Sequence, residues 1–191
     1  MTVAARLLRH ARHSTPLSQS ALAAKVGFRQ SNVSRLESEG RDVNVDTLDR
    51  LLRAAGFRLA ALPTQSATVA EAADATARFL AANNEDGAYR AVIQLADDLA
   101  REHGAERVAL AVAPPPPTSD ERFDAFIAGV VDFRLAAEDL PRPKWLTDGP
   151  RLATAWFVDR WSIGNANTVE ATPPQLRTRG VMIDAVELAS A

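Results

Sequence analysis

Arg29, Gln30, Ser31, Asn32 and Arg35 crowd into one short stretch, "GFRQSNVSRLE" at 27–37. All five carry flexible hydrogen-bonding groups. They interrupt Phe28, Val33 and Leu36, whose spacing buries one side of a helix. Arg complements guanine, Asn or Gln complements adenine, and Ser pairs with either. Such a set on the free face of a helix can read base edges in the major groove of DNA. Mixed polar residues also have a plainer meaning, a solvated face, and the elements that position them must decide.

Val3, Leu7 and Leu8 share a face of a first helix, with Arg6, Arg9 and Arg12 elsewhere; these arginines read as a solvated face rather than a phosphate clamp. "HSTP" at 13–16 breaks that helix. Ser18 suits the cap of a second, which runs to Val26 with Leu22, Ala23 and Val26 inward. Gly27 ends it where a left-handed residue is needed. The quoted helix follows, with Val33 and Leu36 inward, and Gly40 stops it. "NVDTLDRLLRAAG" is a fourth helix: Asn44 caps it, Asp46 suits its positive start, Val45, Leu48, Leu51, Leu52 and Ala55 face the core, and Gly56 closes it. A small Ala23 where two helices cross, Gly27 in the turn and Val33 inside the next helix together meet the packing requirement of a helix-turn-helix.

These residues resemble the Cro/phage-repressor (XRE) family, in "LSQSALAAKVGFRQSNVSRLESEG" and onward through "VNVDTLDRLLRAAG", about residues 5–57. The resemblance implies roles by position. Gln19 matches the family's phosphate-contacting glutamine and can brace the first residue of the reading helix. Gln30, Ser31 and Arg35 match base-reading positions, and Arg29 and Asn32 match auxiliary contacts. Ser38 and the backbone near Gly40 and Arg41 match the loop that grips phosphate. Glu37 matches a frequent acidic residue of structural use. One departure is "FRLAALP" at 57–63, which reads as a short strand ending at Pro63, where many members carry a fifth helix. A lone strand has open edges, so its cheapest partner is the same strand of a second copy.

Bulk properties fit this division. The net charge of −2 hides +5 over residues 1–62 and −7 over 63–191, as expected for a module that meets a polyanion joined to one that does not. The absence of cysteine excludes disulfides and thiolate zinc sites. No apolar run reaches the roughly 18 residues of a membrane span, and the basic N-terminus does not read as a secretory signal, so a cytoplasmic protein is expected.

Beyond a linker at 63–68, helices are expected over about 69–82, 87–103 and 119–138, the last with Phe123, Phe126, Val130 and Phe133 on one stripe. "ERVALAVA" (106–113) reads as a strand, and "PPPP" (114–117) as a stiff connection. Thr172, Pro173 and Gln175 read as a capping-box start to a helix that stops at Gly180, before a strand "VMID". Asp97–Asp98 and Glu138–Asp139 read as solvated charge, and His103 as an end charge or polar cap. Trp145, Trp156, Phe157 and Trp161 either fill a core or form a hydrophobic partner surface. No catalytic constellation, cofactor loop or metal motif is present in the sequence. A self-cleaving Ser–Lys protease is discounted, because only Lys25 and Lys144 are available. "ATPPQLRTRGVMIDAVEL" is loosely similar to tails attached to such helix-turn-helix modules in actinobacterial regulators, some encoded beside toxin genes.

The expected architecture is mainly α: a helix-turn-helix domain over 1–62 with a short strand, then a mostly helical α+β domain over 69–191. The expected function is non-enzymatic: a dimeric repressor that binds an inverted-repeat DNA operator and, as an antitoxin, holds a toxin with its C-terminal half. The alternative is a regulator whose C-terminal half senses a small molecule.

Overall fold

A computed structural model describes residues 2–38, 43–158 and 166–189. The chain divides into two units, 1–63 and 64–191, each with its own core.

The first unit holds α1 (Val3–His13), α2 (Gln19–Lys25), α3 (Gln30–Ser38) and α4 (Val45–Ala54). Side chains cap three of these at the N-terminus: Thr2 accepts from Ala5 N–H, Ser18 from Ala21 N–H and Asn44 from Thr47 N–H. The C-termini of α2 and α4 close alike. Gly27 (φ 68°) and Gly56 (φ 84°) turn left-handed. The next residues, Phe28 and Phe57, then donate their N–H groups back to the carbonyls of Ala23 and Leu52. Leu8, Leu22, Val33 and Leu51 fill the centre, each burial stabilising by about 1.5–3 kcal/mol.

One expectation fails in this unit, and another finds no partner within the chain. Val45 is 66% exposed, because it is the first residue after the Asn44 cap and lies off the buried stripe. Residues 57–63 are paired with no strand of their own chain, and Leu59 and Leu62 stand exposed; among the described residues of this unit there is no strand for them to pair with. The predicted helix stop at Gly40 lies outside the described residues.

The second unit is built on α5 (Val69–Ala81), α6 (Glu85–Arg101), α7 (Gly104–Ala111) and α8 (Glu121–Ala136). Helix α8 is the core element, buried on nearly every side over 123–131. Gly129 lets α11 (Pro174–Arg177) approach it: a Cβ there would stand 2.9 Å from Leu176 Cγ. Short α9 (Lys144–Thr147) and α10 (Ala166–Ala171) flank a two-stranded parallel pair, β1 (Trp156–Phe157) and β2 (Val181–Met182), in register Trp156–Val181. A 3₁₀ turn at Ala185–Leu188 follows.

Here the corrections are larger. "ERVALAVA" lies in helix α7, not a strand. Arg107, Leu110 and Ala111 are buried at helical spacing, and the run is too short for its period alone to decide. Thr172 caps no helix: its hydroxyl donates to Thr168 C=O and accepts from Ile183 N–H, joining α10 to β2. Helix α11 starts from Pro173 with no capping box. Asp98 is buried, not solvated, and accepts from Ala67 N–H, Gln94 and Arg101. Glu138 accepts from Gly104 N–H and bonds His103, which stands before α7. In the stretch read as linker, Thr64 and Ser66 both donate hydroxyls to Glu102.

Candidate nucleic-acid interface

Helix α3 owes its position to one buried acid. Glu37 is 2% exposed. Arg12 of α1 grips both its oxygens, Nε to Oε1 at 2.7 Å and Nη2 to Oε2 at 2.9 Å. Arg9 donates to the Glu37 carbonyl at 2.7 Å, at the negative end of α3. Burial alone would raise the Glu37 carboxyl, but hydrogen bonds from Arg12 and Gln19, with the charges of Arg12 and Arg9, outweigh it and hold it below its ordinary value. The same bond holds the Arg12 guanidinium above its own. Arg9 and Arg12 are therefore not a solvated face; they fasten α1 to the end of α3.

The network continues to the polar face. Gln19, the first residue of α2, donates Nε2–H to Glu37 Oε2 at 2.9 Å, and its Oε1 accepts from Gln30 Nε2 at 2.8 Å. The bracing contact expected between Gln19 and Gln30 is present. Arg29, Gln30, Ser31 and Arg35 are exposed, and Asn32 is half-buried. Arg35 donates to Asn32 Oδ1 at 2.9 Å, which aligns those two side chains. The structure thus bonds Gln19 of α2 to Gln30 and Asn32 to Arg35, with Arg29 just before α3 and Ser31 in its first turn. Ser38 stands apart at the far end, its hydroxyl donated to Ser34 C=O. Arg41 and Gly40 lie outside the described residues.

Arg50 escaped the sequence reading. Its guanidinium donates to Val26 C=O and lies 4.8 Å from the Phe28 ring centroid, so α4 clamps the turn between α2 and α3. The signal was faint: an Arg on the polar side of α4, with nothing local to name its partner. Chemically the arrangement offers rigid donors and acceptors on a basic unit. It has no nucleophile paired with a base, and among the described residues no group of three His, Asp or Glu side chains could hold a metal.

In the second unit, the aromatic residues take separate places. Trp145 donates its indole N–H to Ala111 C=O at 2.9 Å. Trp156 packs on Phe123 and Phe126 of α8, with centroids at 5.4 and 6.1 Å. Phe157 is half-buried, and Trp161 lies outside the described residues. Trp156 and Phe157 line a groove of about 770 Å³ between the start of α6, the start of α8 and the strand pair.

Residues 4–64 match a family model described as a helix-turn-helix domain. That segment is a helix-turn-helix domain of the Cro/phage-repressor type. No curated protein and no solved structure matches the chain significantly. Among the described residues, no helix is long and apolar enough to cross a membrane.

Proposed function

We propose that this chain, whose residues 4–64 are a helix-turn-helix domain, is a sequence-specific DNA-binding repressor that reads bases with Gln30, Ser31 and Arg35. The observation that carries this is the bonded line from Glu37 through Gln19 to Gln30, which fixes the Gln30 amide at the exposed start of α3. Gln19 and Ser38 contact phosphate, with Arg41 in the adjoining loop, and Arg29 and Asn32 add to either set. Residues 57–63 pair with the same residues of a second copy. The dimer then meets two half-sites about one helical turn apart. The chain acts without catalysis.

The test is fluorescence anisotropy on DNA from directly upstream of the gene, beside scrambled DNA, over a salt series. Wild type is expected to prefer its own DNA by more than about tenfold, each bidentate base contact contributing about 1–3 kcal/mol. Gln30→Ala with Arg35→Ala should lose that preference while keeping most of the salt dependence, which phosphate contacts set. Equal binding to both DNAs by wild type would overturn the reading.

The finer role we propose is that of an antitoxin: the first unit occupies its own operator and the second, acidic unit holds a toxin. The loose similarity of the tail and the charge division support it. Co-purification with the product of the neighbouring gene tests it. The groove beside Trp156 favours a second reading, a regulator whose C-terminal unit senses a small molecule, since its volume suits one. Thermal stabilisation by a metabolite panel without any protein partner would favour that reading.

A further inference from the structure

The groove of the second unit carries a chemistry of its own. Glu85 and Asp86 stand at the start of α6, and Asp184 and Glu187 on the segment after β2; all four line it. The one cationic side chain among the described lining residues is Arg122. That guanidinium is already held by Asp120 at 2.7 Å and Glu85 at 3.1 Å. An anionic ligand therefore meets a wall of carboxylates with its single counter-charge engaged, in a unit of net charge −7. Phosphates and nucleic acid do not fit this groove.

Its other wall is aromatic. Tyr89, Trp156 and Phe157 are each only half-buried. The Arg122 guanidinium lies 5.2 Å from the centroid of Trp156 and 5.9 Å from that of Phe123. The protein thus already uses Trp156 to hold a guanidinium, and aromatic faces rimmed by carboxylates attract such cations. Thr168, 8% exposed, also lines the groove. The space holds more than one side chain, so a segment of chain suits it better than a single amino acid.

We propose that this groove receives an arginine-bearing segment of a partner protein, seated against Trp156 and between Asp86 and Glu187. The inference rests on the reading that the second unit holds a protein partner, and it names the chemistry of the contact.

The probe is a fluorescein-labelled peptide of nine arginines, titrated with the full chain at physiological salt beside a nine-glutamate peptide. The arginine peptide should bind saturably and change tryptophan emission, and that change should vanish in Trp156→Phe. Asp86→Arg with Glu187→Arg should weaken binding by about tenfold or more, because like charges then meet. Glu106→Arg with Asp148→Arg makes the same charge change at exposed sites elsewhere in the unit and should leave binding nearly unchanged. Equal losses from both pairs, or no binding of the arginine peptide, would overturn the inference, provided the groove variant melts like wild type. The product of the neighbouring gene separates the two readings. If it co-purifies with wild type and with the groove variant alike, the groove inference falls and the partner reading stands. If the arginine peptide binds in the groove but that product does not co-purify, the antitoxin reading falls instead.

Discussion

In residues 1–63, Arg12 is fastened to a carboxylate while Arg29 and Arg35 stand at the surface; in residues 64–191, three arginines are drawn inward onto backbone carbonyls. Arg107 donates to the carbonyls of Glu102 and Arg134 at 2.8 and 2.7 Å. Arg134 reaches Ala96 and Leu188, and Arg179 reaches Leu146 and Pro150. Burial lowers the Arg134 and Arg179 guanidiniums below their ordinary values. The first unit ties α1 to α3 through one buried carboxylate, whereas the second sets its inward arginines on backbone carbonyls and on carboxylates as well, Arg107 with Glu138 and Arg179 with Asp132. The contrast teaches that arginine stands exposed along α3 in one unit and serves as an internal clasp on helix ends and loops in the other.

All three Trp and the one Tyr lie in the second unit, so tryptophan emission reports that unit alone while far-ultraviolet dichroism reports both. The largest effect is expected from Arg107→Ala. It removes the partner of the Glu102 and Arg134 carbonyls and the ion pair to Glu138, and should cost about 3–5 kcal/mol, as for a broken buried ionic network. The tryptophan-monitored melt should fall well below that of wild type, with own-operator binding retained; an unchanged melt would remove the clasp from the account. Glu37→Gln should cost about 1.5–3 kcal/mol, as hydrogen bonds to a charged group are lost. It should lower the dichroism-monitored stability and leave tryptophan emission alone.

The pH dependence follows from the same carboxyl. Its folded value lies below its ordinary 4.5. Its contribution is therefore whole above that ordinary value and lost as pH falls through the lowered folded value. Wild type should lose first-unit stability across that acid window, and Glu37→Gln should be flatter there in urea titrations followed by dichroism. Gly27→Ala comes next. No atom lies within 4 Å of the added Cβ, so only the left-handed backbone objects, at about 1–2 kcal/mol. The smallest effect belongs to Val45→Lys, expected within about 0.5 kcal/mol of wild type because the side chain faces solvent. A large loss there would mean that a partner covers Val45.

The same contrast explains what could be read beforehand. In the first unit, helix starts and stops are signalled within four residues, by Ser18, Asn44, Gly27 and Gly56. The buried stripes repeat cleanly, so the helices were legible from the residues, and the Gln19–Gln30 pair from the family resemblance. Arg12–Glu37 was not, because the partners lie 25 residues apart and, though the resemblance gave Glu37 a structural use, nothing local names Arg12 as its partner. In the second unit the deciding contacts are long-range. Helix α7 depends on Arg107 reaching Arg134, 27 residues on. Thr172, with a good capping sequence, is claimed by Ile183 instead. The groove draws its walls from segments between Asn83 and Glu187, and no window of sequence contains it.

The line of bonds beneath α3 also has a direction. A carboxylate can only accept, so Gln19 must turn its amide nitrogen toward Glu37 and its oxygen toward Gln30. Gln30 must then give one N–H inward, which keeps its amide from flipping. What it has left is one N–H and one carbonyl oxygen in a set order, the complement of an adenine edge and a mismatch for guanine, which offers two acceptors. A buried acid that never touches the surface would thus choose, by polarity alone, which purine the helix can greet.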